Sequence, residues 1–568
     1  MGIVAATVYY TKAVRSSEDQ EDLNRLAAGY YTSGVVGLIV VSALVSNLNH
    51  LATYVKLKNG GVAKAASQRL RRALVGIPVG FFLVLPHWLF VAAAFIALNV
   101  GLIDWQMDWT NQAALGSRCG WIALCNLCLV VFLGLKNTPL SPLAGQTYRD
   151  LNFLHRICGY ITVIEVILHG ALFSSGLFKV HAVSTLQTGS TYAGAAAGIA
   201  MLILAITASW FFRRRFYEAF YVLHVLLVFV IIITMGLHQG DIQEKALIIV
   251  IISAGIWALD ILIRTAKWLY YGRHGYCTLT PLAYGATKVS MSRSMVARPG
   301  SHTQLWIPSI GLLEQHPFSL LQNDPVELVV AARGGFTKRL YEAATKKPGL
   351  RCRAMLGGPY GRPPSLQNFD RVLLVAGGSG VTFAMGMARE WLHSESGQDS
   401  SKSLHFVWVV RSRHQFLWFL PSLERLRAHP RIVLTLHVTG DQTVELADPV
   451  LEGEAKSPTF SDISMLSNQD LVHDLEKNAT TDKDLVPTVS DLSARRNSYT
   501  HLLPDFHHGR PVVDQLLQHA MAGSSPNDRI LITGSGPDQL LTDLRASTGH
   551  VINVAGPTVL LHLEAYEW

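Results

Sequence analysis

Four histidines stand in two apolar runs at one repeated spacing: His155 and His169 in LNFLHRICGYITVIEVILHGALF, then His224 and His238 in FYEAFYVLHVLLVFVIIITMGLH. Each pair is fourteen residues apart (169 − 155 and 238 − 224), which on an α-helix is a rise of ~21 Å and a rotation about 40° short of whole turns. Two such helices side by side could hold two flat ligands, one above the other. Imidazole is an axial ligand of haem iron, and two imidazoles per iron leave no open position, so such a centre carries electrons and does not bind oxygen directly. The plainer reading, packing or a proton relay, must explain four costly ionisable groups at duplicate spacing inside apolar spans. Haem ligation by His155, His169, His224 and His238 is therefore expected. His50 and His87 also lie in apolar runs but have no partner at that spacing, and are read as packing or pore-lining residues.

The elements that must position these imidazoles are membrane helices. With 568 residues, 49% of them hydrophobic and only 15% charged, and a mean hydropathy of +0.27, the chain suits a polytopic membrane protein with a soluble part attached. Seven candidate spans fall in the first half, at roughly 30–56, 74–99, 115–136, 151–177, 191–212, 216–238 and 245–269, each near the length that crosses a bilayer. Lys56, Lys58, Lys64, Arg69, Arg71 and Arg72 follow the first span, Lys136 and Arg149 the third, Arg213, Arg214 and Arg215 the fifth, and Arg264, Lys267 and Arg273 the seventh. Short cytosolic loops carry the excess of Lys and Arg, so the N-terminus is expected outside and the C-terminal half in the cytosol. Spans four and six then run outward together, which pairs His155 with His224 near the inner face and His169 with His238 near the outer face. Glu165, between the two depths, is either a cavity-facing functional group or a charge satisfied near Arg156. Arg156 itself suits a haem propionate or a lipid headgroup. Asp104, Trp105, Asp108 and His181 are the candidates for an acceptor site at the outer face.

The net charge of +8 is largely these membrane-flanking cations. No basic, aromatic-interleaved stripe marks a nucleic-acid partner. The six cysteines, Cys119, Cys125, Cys128, Cys158, Cys277 and Cys352, form no paired CxxC sets, so neither a disulfide framework nor a zinc site is indicated. No cleavable signal peptide is evident, span one is expected to act as an uncleaved anchor, and Ala6 breaks the myristoylation pattern.

After residue 272 the texture changes to short β-type runs broken by Gly and Pro, as in a small antiparallel barrel. It contains His316-Pro317-Phe318-Ser319 and, further on, Gly334-Gly335-Phe336-Thr337-Lys338-Arg339-Leu340. From 371 the run RVLLVAGGSGVTFAMGMAREWL reads as a buried strand, a glycine-rich turn and a helix, an arrangement that brings backbone N–H groups to a phosphate. Strands at LHFVWVVRSR, RIVLTLHV and RILITGSGPDQL alternate with helical stretches, which argues for an open parallel sheet. Residues 440–508, rich in Ser, Thr, Asp, Asn and Glu, are read as a disordered insertion; its sequon at Asn478 should stay unmodified in a cytosolic half.

The two histidine pairs, HPFS at 316, GGFTKRL at 334, GGPYG at 357, AGGSGVT at 376 and the terminal EAYEW resemble, taken together, the fungal ferric-chelate reductases, relatives of the NADPH oxidases. The resemblance covers nearly the whole chain. It implies a membrane α-helical bundle of about seven spans followed by a ferredoxin-reductase-like module, an antiparallel β-barrel FAD domain plus an α/β nucleotide-binding domain. It also implies two b-type haems, FAD and NADPH as cofactors. The limits expected are an extracytosolic segment at 1–29, a bis-haem membrane domain at 30–272, the FAD barrel at 273–366 and the NADPH domain at 367–568.

Carried over by residue, His316, Pro317, Phe318 and Ser319 would cradle the flavin, Thr337 would reach its pyrophosphate and Trp568 would lie near its ring. Gly377, Gly378, Gly380 and Thr382 would line the nicotinamide dinucleotide, with Gly536 and Pro537 closing over the nicotinamide side. Arg411 and Arg413 are candidates for the 2′-phosphate of NADPH, or a solvated strand end. The chain departs from the family at Ser535, where members commonly carry Cys before Gly-Pro.

The expected activity is reduction of ferric or cupric chelates on the outer face by cytosolic NADPH. The alternatives are an NADPH oxidase that makes superoxide and, in another class, a non-redox metal or proton transporter. Expected partners are the lipid bilayer and a metal permease or oxidase, with the plasma membrane as the location and the vacuolar membrane as the alternative.

Overall fold

The structure, a computed structural model, describes residues 2–54, 62–75, 77–79, 83–85, 88–140, 143, 148–240, 244–273, 275–312, 314–440, 505–553 and 556–564. It divides into two units, residues 1–51 with 85–265, and residues 52–84 with 266–566. The elements run α1 Gly2–Tyr54, α2 Val62–Val75, a short hairpin of β1 Ile77–Val79 and β2 Leu83–Leu85, α3 Trp88–Asp104, α4 Gln112–Gly134, α5 Tyr148–Lys179, α6 Gly189–Thr207, α7 Trp210–Arg215, α8 Tyr217–Gly240 and α9 Glu244–Gly272.

Six helices among the described residues are long and apolar enough to cross a membrane: Gln20–Val45, Gln112–Gly134, Leu151–Lys179, Gly189–Thr207, Tyr217–Gln239 and Glu244–Gly272. The span expected at 74–99 is not one continuous helix. Its first part forms the hairpin and only Leu89–Asp104 is an apolar helix. Pro78, within β1, accounts for the break, since proline removes an N–H and clashes with the preceding turn of a helix.

Helices α4 and α5 pack antiparallel at very close range. A Cβ on Gly116 would come 2.5 Å from Phe173 N, and one on Gly176 would come 2.6 Å from Ala113 N. Small residues allow such approach where lipid supplies no hydrophobic drive between helices. Arg118, fully buried, ties three helices together: its Nε donates to Asn24 Oδ1 of α1 (2.7 Å) and its Nη1 to Leu102 O and Trp105 O (2.8 and 3.0 Å).

The second unit holds two antiparallel sheets and one parallel sheet. The antiparallel strands are β3 Tyr276–Leu282, β4 Ala286–Met291, β5 His302–Trp306, β6 His316–Ser319, β7 Gln322–Asn323, β8 Val326–Ala331, β9 Leu350–Arg353 and β10 Met355–Tyr360, with α10 Gly335–Lys346 inserted between β8 and β9. They pair in the orders β7-β8-β4-β3-β9 and β10-β5-β6. Leu279, Val289, Leu305, Leu328 and Phe336 fill the space between them.

The parallel sheet follows: β11 Arg371–Gly377, α11 Val381–His393, β12 Ser403–Val410, α12 Leu420–Ala428, β13 Ile432–Val438, β14 His507–His508, α13 Val513–Met521, β15 Arg529–Ser535, α14 Asp538–Val551 and β16 Thr558–Glu564. Its order is β14-β13-β12-β11-β15-β16, so the direction of winding reverses between β11 and β15. Strands covered on both faces read as near-continuous apolar runs, and β11 and β15 are buried almost throughout. Of the insertion expected at 440–508, residues 441–504 lie outside the described residues, and His507–His508 at its end pair with β13.

Candidate functional site

The antiparallel packing of α4 on α5 decides where two of the four imidazoles point. A Cβ on Gly120 would meet His169 Nδ1 at 2.6 Å, and one on Gly134 would meet His155 at 3.3 Å. The glycines are fourteen residues apart, like the histidines they face. On the other pair of helices, a Cβ on Gly194 of α6 would meet His238 Nδ1 at 2.7 Å. With no side chain in the way, each ring reaches its neighbour's backbone: His155 Nδ1 bonds Val130 O (2.9 Å), His169 Nδ1 bonds Gly116 O (2.8 Å) and His238 Nδ1 bonds Ser190 O (2.7 Å). A carbonyl oxygen only accepts, so Nδ1 carries the proton in all three and a neutral ring presents the Nε2 lone pair.

The structure brings the rings together in the pairs His155 with His224, centres 6.2 Å apart, and His169 with His238, centres 6.4 Å apart. An imidazole–metal bond is about 2 Å and a ring centre lies roughly 1 Å behind its nitrogen, so two imidazoles on opposite sides of one ion have centres about 6 Å apart. Both pairs fit one ion between two nitrogens. His224 differs from the others: its Nδ1 is buried without a hydrogen-bond partner among the described residues, and its ring meets Phe220 edge-on at 5.3 Å.

Glu165, 2% exposed, takes a hydrogen bond on Oε2 from Asn126 Nδ2 (2.7 Å), while Asn126 also bonds Asn99 Oδ1 (2.7 Å) and accepts from Tyr31. Asn126, Asn99 and Tyr31 form a buried polar chain that the sequence did not reveal. Arg156 lies over the Phe153 ring at 5.8 Å. Of the expected outer-face residues, Asp104 accepts from Trp109 Nε1 (2.9 Å), Asp108 caps Thr110 (2.9 Å) and Trp105 packs edge-on against Tyr30 (5.1 Å). His181 is exposed in a separate loop with φ 56°. His50's side chain and the whole of His87 lie outside the described residues.

In the second unit, β6 places His316 and Phe318 on one face, half-exposed, with Pro317 and Ser319 buried on the other. His316 stacks obliquely on Phe336 (5.0 Å, 32°), and burial lowers its pKa, which keeps the ring neutral. The Thr337 hydroxyl is already committed: it donates to Gly334 O (2.9 Å) and accepts from Arg333 N (3.0 Å), closing the N-terminus of α10. Trp568 lies outside the described residues.

At the reversal between β11 and β15 the expected glycines converge. A Cβ on Gly380 would come 2.3 Å from Ser535 O, one on Gly536 would come 2.9 Å from Gly377 Cα, and one on Gly377 would come 2.6 Å from Pro537 Cδ. Gly378 has φ +55°, a conformation glycine adopts at little cost. Ligands of open parallel sheets bind at such a reversal, outside the carboxyl ends of the strands. Thr382 is buried and its hydroxyl donates to Val329 O (3.3 Å), so it joins α11 to a barrel strand. Arg333 Nη2 bonds Ser379 Oγ (3.0 Å), linking the α10 turn to the glycine turn. Arg411 is exposed just past the carboxyl end of β12, and Arg413 is half-buried beside it.

Three family models match the chain: a ferric reductase like transmembrane component over residues 119–235, an FAD-binding domain over 283–364 and a ferric reductase NAD binding domain over 369–549. The chain belongs to the ferric reductase family. The chain is 24% identical over 461 residues to Ferric reductase transmembrane component 3 of Saccharomyces cerevisiae, covering 79% of this chain and 61% of that one. It is 24% identical over 356 residues to Ferric/cupric reductase transmembrane component 1 of Candida albicans, covering 59% and 45%. The chain thus spans about half to three-fifths of the length of the curated relatives it matches. Among solved structures, phthalate dioxygenase reductase matches 51% of this chain and 67% of its own at 14% identity and a TM-score of 0.30.

Proposed function

We propose that this chain is a transmembrane metalloreductase that moves electrons from cytosolic NADPH, through FAD and two b-type haems, to ferric or cupric chelates on the opposite face. The reading is carried by the two imidazole pairs, each at a spacing that fits one ion and stacked along α5 and α8 by a fourteen-residue step. His155 and His224 would hold one haem, His169 and His238 the other. The Nδ1–H···O=C bonds fix the rings and raise the basicity of Nε2. Flavin and haem supply the hydride-accepting and one-electron chemistry when bound.

The chain's own work is positioning. The HPFS strand and the α10 N-terminus would hold the flavin and its pyrophosphate, with Trp568 near the ring. The glycine turn and Gly536-Pro537 would receive the nicotinamide dinucleotide, and Arg411 with Arg413 its 2′-phosphate. The proposed limits are a bis-haem domain at 30–272, an FAD barrel at 273–366 and an NADPH domain at 367–568, in the plasma membrane with the C-terminal half cytosolic. Its metal product would pass to a permease or oxidase.

Membranes holding the chain should reduce a ferric chelate on addition of NADPH at a rate that superoxide dismutase leaves unchanged. Superoxide as the main product would contradict the reading in favour of an oxidase. Absence of both haem absorbance and NADPH oxidation would return the histidines to transport or packing.

A further inference from the structure

Helix α2 lies in sequence between the apolar helices Gln20–Val45 and Leu89–Asp104, yet it belongs to the same unit as the barrel and the parallel sheet. On one of its faces, at positions i, i+4 and i+7, Lys64, Gln68 and Arg71 are 4%, 1% and 2% exposed. Each reaches a main-chain carbonyl outside the helix: Lys64 Nζ donates to Pro526 O, Gln68 Nε2 to Pro557 O (2.7 Å) and Arg71 Nη1 to Val559 O (3.3 Å). Arg71 Nε also bonds Ser67 Oγ (3.2 Å). Arg69 and Arg72, on the other side, are exposed. A merely solvated basic loop would show no such division.

Val559 lies at the start of β16, the edge strand of the sheet, and Pro557 immediately precedes that strand. An edge strand presents unpaired carbonyls, and a covering helix is one way a fold closes it. Long polar side chains are costly to bury unless hydrogen-bonded, so the three donors and the edge carbonyls answer each other. Burial pulls the Arg71 guanidinium down to about 10, still cationic at neutral pH.

The far end of β16 meets both halves of the reductase module. The His562 ring lies nearly parallel to Phe383 of α11, centres 6.1 Å apart, and α11 starts at the glycine turn. His562 Nε2 is 3.4 Å from Glu564 Oε1. Burial pushes the Glu564 carboxyl up, and its hydrogen bond to His562 with the charges of His562 and His302 more than reverses this, leaving it below the usual range. His302 is on barrel strand β5, and a Cβ on Gly361 would lie 3.5 Å from Glu564 Oε1. One seven-residue strand therefore runs from α2 to the nucleotide turn and the flavin barrel.

We propose that α2 is a brace for the nucleotide-binding sheet: Gln68 and Arg71 are positioning residues that hold β16 in register, and through it the approach of nicotinamide to flavin. The docking stands on the contacts alone, while its effect on hydride transfer rests on the NADPH-to-flavin reading above.

The test uses the full chain in nanodiscs, with Gln68→Met and Arg71→Met combined. Amides of residues 558–564 should exchange hydrogen at least tenfold faster, and anaerobic reduction of the flavin by saturating NADPH should slow several-fold, with the haem spectrum unchanged. Arg71→Lys, which keeps a donor, should recover most of the rate. Unchanged exchange, or faster exchange with an unchanged flavin rate, would overturn the proposal. Wild type that never reduces flavin with NADPH would sink the functional reading, and exchange would still judge the docking. Should the double variant not accumulate, Gln68→Cys with Pro557→Cys should be joined by a short bismaleimide with hydride transfer retained, and failure to cross-link would refute the contact.

Discussion

The two imidazole pairs are built to different standards. In the pair His169–His238 both rings lie against a glycine, Gly120 or Gly194, and both Nδ1 atoms bond a helix carbonyl. In the pair His155–His224 only His155 is so held, against the looser Gly134, and His224 Nδ1 has no hydrogen-bond partner among the described residues. A ring fixed by a second hydrogen bond is a pre-oriented and more basic ligand. As ligands, one pair would offer two fixed rings and the other one fixed and one adjustable ring.

The sharpest way to break this contrast is through the glycines. Gly120→Ala puts a methyl 2.6 Å from His169 Nδ1, whereas Gly134→Ala meets His155 only at 3.3 Å. The first should lose about half of the Soret absorbance per chain and 10–100-fold of ferric-chelate reduction, the range for losing a ligand's support, while the second stays within a few-fold of wild type. Equal losses would remove the distinction. A smaller effect is expected at the unsupported ligand. On adding carbon monoxide to the dithionite-reduced protein, the adduct should form first at the site of His155 and His224, and so disappear in His155→Ala. Adduct formation at the other site at the same rate would contradict it.

His405 sharpens the comparison from outside the membrane, as a buried histidine whose ring nitrogen bonds a hydroxyl and not a helix carbonyl. Its Nε2 bonds Thr435 Oγ1 (2.8 Å), and burial, aided by His519 and His437, lowers its pKa to about 4. Because the folded value is depressed, the unfolded chain binds the proton first. Stability is fully present above about pH 6.5 and lost as pH falls toward 4, on the order of 3 kcal/mol in all. Thermal unfolding of the sheet, followed by tryptophan fluorescence, should show this slope, and His405→Phe should flatten it. The smallest effect is expected at Arg333→Ala, which removes an exposed bond to Ser379 and should change the KM for NADPH by no more than a few-fold in steady-state assays.

Much of the site is legible in the sequence because it depends on period. A fourteen-residue repeat in apolar helices picks out four imidazoles that the fold brings into two pairs, and a strand–glycine turn–helix marks the sheet reversal where Gly377, Gly380 and Gly536 meet. What escaped depends on partners distant in sequence. Gly120 and Gly134 carry the same fourteen-residue step as the histidines, but only the antiparallel register of α4 and α5 gives that step meaning. The backbone bonds of the Thr337 and Thr382 hydroxyls, to Gly334 O and Val329 O, likewise show only in the fold. The candidate span at 74–99 runs as an apolar helix only from Trp88, with Pro78 in a short strand before it, a break that hydropathy does not weigh. Lys64 and Arg71 count as cytosolic loop cations in any charge tally, and their docking face shows only once β16 is in place.

The most direct test of the two-centre wire is a dithionite-reduced minus oxidised spectrum of membranes holding wild type, His155→Ala and His169→Ala, quantified per chain and followed by NADPH-driven ferric-chelate reduction. Two b-type centres in wild type, about half the signal in each variant and reductase activity lost in both are expected. A full haem signal in either variant, or none in wild type, would contradict the pairing on which the functional reading stands.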